Sequence, residues 1–374
     1  MKKLCIVSDE SVLAGSANTG VGEVVDSLAA SLAREYEVYV VTAFGGGALA
    51  GYTTGEDSEN VVRRRMFGTE YCMIREPTVE AFAEAVREIR PDVLHNFADT
   101  GLIRHVRGGR SIYTIDDGRC IRRPDELFLY DAVTTVSKGY AKELLSGRDA
   151  LADVLRRVDF RGVTNGILSE VFCPEQKVQT AAAFSAEDQA GKDVCKARLA
   201  AQYGIERDRV IFAMLCRMTA HKGVNDVLDA LPLIHELGGT VLFYGRGMDD
   251  PGIPGGVWVT AATHPLRAIP ILAGADFLLS PSRYEPCGLM PMSAARYGTI
   301  PITTRVGGLR DNMTDDVSID CSDGLEKAIR TAFDIYADKD RLTRFRAACM
   351  RADFGWDRRK RGYVELYEAS GDNR

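Results

Sequence analysis

Short apolar runs rich in β-branched residues alternate with helical patterns along this chain, an order that builds parallel sheets covered by helices on both faces. Residues 4–7 read as a first strand, and Val21, Val24, Val25, Leu28 and Leu32 then recur at helical spacing. Residues 38–42, 92–95, 111–115 and 132–136 continue the strands, the last leading into a helix around 139–145. The rhythm restarts after the turn pair Asn165-Gly166, with strands expected at 210–215, 240–244, 277–280 and 299–302. Helices are expected near 223–237, 289–297, 324–337 and 339–350. The class is therefore α/β, with two doubly wound Rossmann-like domains, 1–165 and 166–350, and a carboxyl-terminal helix within 351–374 packing back toward the first domain. A chain of 374 residues suits two cores of roughly 150 residues each. Two such sheets facing each other place the carboxyl ends of their strands on a central cleft, the usual ligand position. Residues 45–47 and 51–60 read as a mobile surface loop.

Composition narrows the function classes. Apolar residues make 45% and charged residues 27%, as in ordinary folded proteins, which excludes disordered and disulfide-scaffold readings. A net charge of -6 supplies no general attraction for nucleic acid or anionic lipid, so neither partner is expected. The nine cysteines are scattered with no C-x-x-C pair, and the five histidines show no ligand spacing. No metal site and no cofactor are expected. The apolar run before Asp9 and Glu10 is only four residues long, too short for a signal peptide or a membrane span, so a cytoplasmic location without stable membrane insertion is expected.

The segment densest in chemistry runs Ser280-Pro281-Ser282-Arg283-Tyr284-Glu285-Pro286-Cys287-Gly288-Leu289-Met290-Pro291. It reads as strand, tight loop and helix start, where backbone N–H groups can seat a phosphate. The same pattern also serves a plain turn with Glu285 as a solvated cap. Arg217 and Lys222, in Cys216-Arg217-Met218-Thr219-Ala220-His221-Lys222-Gly223, follow another strand and could grip a diphosphate, although paired basic residues in a loop are also ordinary surface charges. The loop 15–22 carries glycines between strand and helix, and Gly307-Gly308 carries the same ambiguity. Cys287 has no partner base in the sequence and reads first as a small thiol packed under its loop. The residues alone thus describe a two-domain cleft enzyme for a phosphorylated or nucleotide-bearing ligand.

Arg283-Tyr284-Glu285-Pro286-Cys287-Gly288-Leu289, then 296–301 (Arg-Tyr-Gly-Thr-Ile-Pro) and 306–309 (Val-Gly-Gly-Leu), closely resembles the bacterial glycogen and starch synthases, retaining glycosyltransferases of the GT-B fold. Further stretches agree in order: Thr134-Thr135-Val136-Ser137, Asn165-Gly166-Ile167, Phe184-Ser185-Ala186-Glu187-Asp188 with Gly191-Lys192, Arg217-Met218-Thr219 with Lys222-Gly223, and Phe354-Gly355-Trp356-Asp357. The likeness covers about 131–370. In the wider group Phe commonly stands at the Cys287 position and a second Glu follows eight residues after the first; here that position is Ser293, which favours the synthase branch.

The resemblance implies roles. Arg217 and Lys222 would bind the donor diphosphate and stabilise charge on the leaving group. Glu285 would hold the donor sugar, and Cys287, Gly288 and Leu289 would complete the phosphate seat, faced by Gly20. The base-stacking position falls at Thr263 beside His264. The acceptor side departs from the family: Asn18-Thr19-Gly20-Val21 replaces Lys-Thr-Gly-Gly, Asp116 and Asp117 replace a His-Asn pair, and Asp99 stands for the Asp of His-x-His-Asp-Trp. The implied reaction moves glucose from a nucleotide sugar, most simply ADP-glucose, to an α-1,4-glucan. The alternatives are a sugar transferase for another glycan or small acceptor, and a noncatalytic nucleotide-sugar or glucan-binding protein.

Overall fold

The structure is a computed structural model, and it describes all residues except 16–19, 46–52, 55–57, 59, 107, 178, 248–251, 253, 261–264 and 370–374. Most of the expected surface loop, together with Asn18, Thr263 and His264, therefore lies outside the described residues. Two compact units divide the chain: Met1–Gly166 with Gly355–Arg374, and Ile167–Phe354.

The first unit is built on strands β1 (Lys3–Ser8), β2 (Glu37–Ala43), β3 (Thr53–Thr54), β4 (Val61–Met66), β5 (Thr69–Ile74), β6 (Val93–Asn96), β7 (Arg110–Ile115), β8 (Ala132–Thr135) and β9 (Phe160–Gly162). They form one sheet in the order β3-β4-β5-β2-β1-β6-β7-β8-β9. Leu4, Cys5, Ile6 and Val7 of β1 are completely buried, as a central strand with both faces covered requires. The helices are α1 (Gly20–Leu32), α2 (Val79–Ile89), α3 (Lys138–Ser146) and α4 (Ala150–Leu155). The sheet is parallel except at one edge, where β4 runs antiparallel to both β3 and β5. That hairpin turns on Phe67 and Gly68, both at positive φ (50° and 80°), the backbone of a two-residue primed turn.

Two short helices from the carboxyl-terminal segment, at residues 356–359 and 361–368, complete this unit. The segment is tied down by buried polar bonds: Trp356 Nε1 donates to Ser27 Oγ at 2.8 Å, and Tyr363 Oη donates to Asn165 Oδ1 at 2.6 Å. His95 of β6 links the segment to the sheet. Its ring nitrogens lie 2.7 Å from Tyr367 Oη and 2.5 Å from Thr114 Oγ1, and burial pushes its pKa down to about 3. An unfolded histidine takes up its proton near pH 6.5, whereas this one resists until about 3, so the folded state loses stability as pH falls between those values. From pH 7 to 5 the loss from this group is about 2 kcal/mol. Urea unfolding should show a shallower fall across that range in His95→Gln than in the parent; equal slopes would remove His95 as the cause.

The second unit carries β10 (Val210–Leu215), β11 (Gly239–Gly245), β12 (Gly256–Thr260), β13 (Phe277–Ser280), β14 (Ile300–Thr303) and β15 (Ile319–Asp320). The sheet is parallel in the order β12-β11-β10-β13-β14-β15. Its helices are α5 (Ala190–Tyr203), α6 (Val224–Glu236), α7 (Pro265–Gly274), α8 (Leu289–Arg296), α9 (Gly307–Asn312), α10 (Leu325–Ala337) and α11 (Lys339–Arg351). The segment that closes the first unit holds α12 (Trp356–Arg359) and α13 (Arg361–Glu368). Every residue of β10 and β11 is buried. After β10 the chain leaves to β11 on one side, and β13 comes back to pair with β10 on the other, so the winding reverses at β10 and opens a crevice at its carboxyl end. Among the described residues no helix is long and apolar enough to cross a membrane.

Candidate active site

The loops that leave β10 and β13 meet at this reversal point. Lys222 ends the turn after β10, and Glu285 lies in the loop between β13 and α8. Gly223 (φ 76°) lets the two loops touch: a Cβ built there would stand 2.3 Å from the carbonyl oxygen of Pro281. Arg283 N donates to His221 O at 2.8 Å across the same seam. The result is an ion pair, Lys222 Nζ to Glu285 Oε2 at 2.6 Å, with side chains only 20% and 14% exposed. Ser282 Oγ also approaches Glu285 Oε2, at 3.4 Å. Arg217, two residues past β10, is exposed, while Arg217, Lys222 and Glu285 all act electrostatically on the thiol of Cys216. The three residues singled out for catalysis thus share one neighbourhood. Burial pushes that thiol up to about 12 despite the two cations, so Cys216 stays protonated and unreactive at neutral pH.

Glu285 is held from behind as well. Its carbonyl accepts the N–H of Gly308, so this amide of the Gly307-Gly308 pair is spent on fixing the loop. Cys287 is buried (7% exposed), and Asn312 Nδ2 donates to its carbonyl at 2.9 Å. Its place is under the loop. Gly288 caps α8 with φ 87°, a left-handed backbone that suits glycine. The N–H groups of Gly288 and Leu289 have no acceptor among the described residues, as a phosphate seat would require. Ser282 and Asn312 were not legible as site residues. The only signal was that a small polar residue precedes the charged loop and another lies in the helix after the glycine pair.

In the first unit, Gly20 is the exposed first residue of α1. The acidic candidates stand at the carboxyl ends of β6 and β7, next to the reversal of winding at β1. Asp99 accepts from Gly101 N at 2.7 Å and pairs with Arg123 at 2.5 Å. Asp117 accepts from Arg119 N at 2.9 Å and pairs with the Arg119 side chain at 2.6 Å. Both therefore already fix local turns, while Asp116 is half-buried at the end of β7. Glu23, in the first turn of α1, was not anticipated. Lost hydration, then the charge of Asp26, raises its carboxyl to about 7, and its Oε1 has no hydrogen-bond partner among the described residues. An acidic residue three places after a loop glycine was the available signal. Among the described residues no group of His, Cys, Asp and Glu is arranged to hold a metal ion.

Residues 209–334 match the family described as glycosyl transferases group 1. A glycogen synthase of Paramagnetospirillum magneticum is 35% identical over 279 residues, which is 66% of this chain and 56% of the relative. A glycogen synthase of Yersinia pestis is 32% identical over 272 residues, 64% of this chain and 57% of the relative. The chain thus spans just over half the length of the curated relatives it matches. Among solved structures, the catalytic domain of starch synthase IV from Arabidopsis thaliana, bound to ADP and acarbose, superposes with a TM-score of 0.82 at 20% identity over 100% of both chains. A sucrose-phosphate synthase from Thermosynechococcus elongatus gives 0.67 at 16% identity, covering 98% of each.

Proposed function

We propose that this chain, glycogen/starch synthase-like in sequence and GT-B in fold, transfers glucose from a nucleotide sugar, most simply ADP-glucose, to the nonreducing end of an α-1,4-glucan with retention. The observation that carries the reading is the Lys222–Glu285 pair at the carboxyl end of β10, where an open α/β sheet binds its ligand. Arg217 and Lys222 offer positive charge to a departing diphosphate, and the amides of Gly288 and Leu289 offer hydrogen bonds at the start of α8. Glu285, paired with Lys222, accepts hydroxyl hydrogens of the donor sugar and holds its transferring carbon beside the phosphates. The bond from that carbon to the diphosphate oxygen breaks as the acceptor hydroxyl oxygen bonds to the same face. The acceptor's proton passes to the leaving phosphate oxygen, so no protein nucleophile is required. The glucose donor and glucan acceptor draw on the named relatives and on the ADP and acarbose of the starch synthase structure.

A second reading, a different glycan or small glycoside as acceptor, is favoured by Asn18, Asp116 and Asp117, where the family carries other residues. Purified protein incubated with a panel of nucleotide sugars, with and without short maltooligosaccharides, separates the readings. Elongation of the oligosaccharide with ADP-glucose is expected. Donor hydrolysis without elongation would transfer support to another acceptor, and binding without turnover would overturn the enzymatic reading.

A further inference from the structure

We infer that Arg246, at the end of β11, is a second arginine anchor for the donor's diphosphate beside Arg217; this rests on the donor-site reading above. The register of β10 and β11 pairs Leu215 with Tyr244, so two residues further on Arg217 lies opposite Arg246. The ladder continues past the assigned strand ends, because Met218 N donates to Arg246 O at 2.7 Å. Neighbouring strands are about 4.8 Å apart, so two exposed guanidinium-bearing residues stand side by side at the carboxyl edge of the sheet. Like charges directly opposite each other are unfavourable unless something negative sits with them.

Charge counting then points to the ligand. The loops after β11, β10, β13 and β14 carry five Lys and Arg side chains: Arg246, Arg217, Lys222, Arg283 and Arg305. Lys222 is taken by Glu285 at 2.6 Å, Arg283 by Asp226 at 2.8 Å and Arg305 by Asp315 at 2.8 Å. Arg217 and Arg246 have no acidic partner among the described residues; Asp249 and Asp250 lie outside them. Two positive charges with no acidic partner among the described residues match the two negative charges of a sugar nucleoside diphosphate. Guanidinium groups are also suited to gripping phosphate oxygens in pairs. The order along the sheet edge puts Glu285 after β13, Lys222 and Arg217 after β10, and Arg246 after β11, one strand further from the Glu285 carboxylate. Arg246 therefore anchors the phosphate on the nucleoside side.

Isothermal titration of ADP, UDP and adenosine into the full chain, with variants Arg246→Gln, Arg246→Lys, Arg217→Gln and Lys222→Ala, tests this. Arg246→Gln should weaken both diphosphates about tenfold or more, leave adenosine binding and the melting temperature unchanged, and raise the donor KM with little change in kcat. Arg246→Lys should restore part of the loss. Unchanged diphosphate binding in Arg246→Gln, while Arg217→Gln and Lys222→Ala lose it, would overturn the role of Arg246 alone. An equal loss of adenosine binding would also overturn it, by making Arg246 a base contact. If none of the variants alters diphosphate binding, the donor-site reading itself fails.

Discussion

Glu285→Gln is expected to abolish sugar transfer while nucleoside diphosphate binding stays within about threefold, and Lys222→Ala to lower transfer by about one to two decades. The reason lies in the 2.6 Å contact between the two side chains. Glu285 is shielded enough that its charge is felt at short range, and Lys222 keeps that charge affordable so close to a diphosphate. Glutamine fills the same space and still reaches Lys222, but it gives up the full negative charge next to a sugar whose transferring carbon becomes cationic. Loss of Lys222 removes a cation from the leaving group and also leaves the Glu285 carboxylate with the more distant Ser282 hydroxyl. Because the two residues touch, their effects should not add. The double variant should be about as slow as Glu285→Gln alone, a coupling that steady-state rates with saturating donor would expose. Full activity in Glu285→Gln would reduce the pair to a structural bridge.

The sequence pattern revealed elements where burial is uniform. Strands β1, β10, β11 and β13 are largely apolar because both faces of the sheet are covered, and the runs at 4–7, 210–215, 240–244 and 277–280 mark them to within about a residue at each end. The β4–β5 hairpin escaped because Arg63, Arg64 and Arg65 break the apolar run and because its turn uses Phe67-Gly68 rather than the Asn-Gly pair that signals such turns. Helix α7 was hidden by Pro265 and Pro270, the second of which stands inside the helix. Helix α5 was hidden for another reason. Its charged residues Lys192 and Lys196 are both buried, so the helix shows little contrast between its two sides. At the site, the loops around Lys222 and Glu285 were recognisable, but no local rule pairs residues 63 positions apart. That contact comes from the adjacency of β10 and β13, together with the glycine that lets their loops close on each other.

Asp276→Ala is expected to destabilise the second unit by about 3–5 kcal/mol, a large part of the roughly 5–15 kcal/mol that holds an ordinary domain together. Asp276 is completely buried just before β13. One oxygen accepts from Lys196 Nζ at 2.6 Å and from Ile211 N at 2.9 Å; the other accepts from Arg346 Nη2 at 2.7 Å. A single carboxylate thus joins α5, β10, β13 and α11. Lys196 and Arg346 are themselves 11% and 8% exposed, so removing the carboxylate strands two cations away from water. Nearby Lys192 is also enclosed. It donates to Tyr297 O at 2.8 Å and Thr299 Oγ1 at 2.9 Å, and burial, then the charge of Arg346, holds its pKa well below the usual lysine value. An uncompensated Arg346 would add to that repulsion. Breaking such a cluster costs more than the cluster contributes, because its attraction only offsets the dehydration of its members. Replacing all three of Asp276, Lys196 and Arg346 with apolar residues of similar size should therefore recover most of what Asp276→Ala loses. Urea unfolding followed by tryptophan fluorescence and circular dichroism would give both values. A midpoint in Asp276→Ala equal to the parent's would show that water reaches these cations and that the cluster does not hold the four elements together.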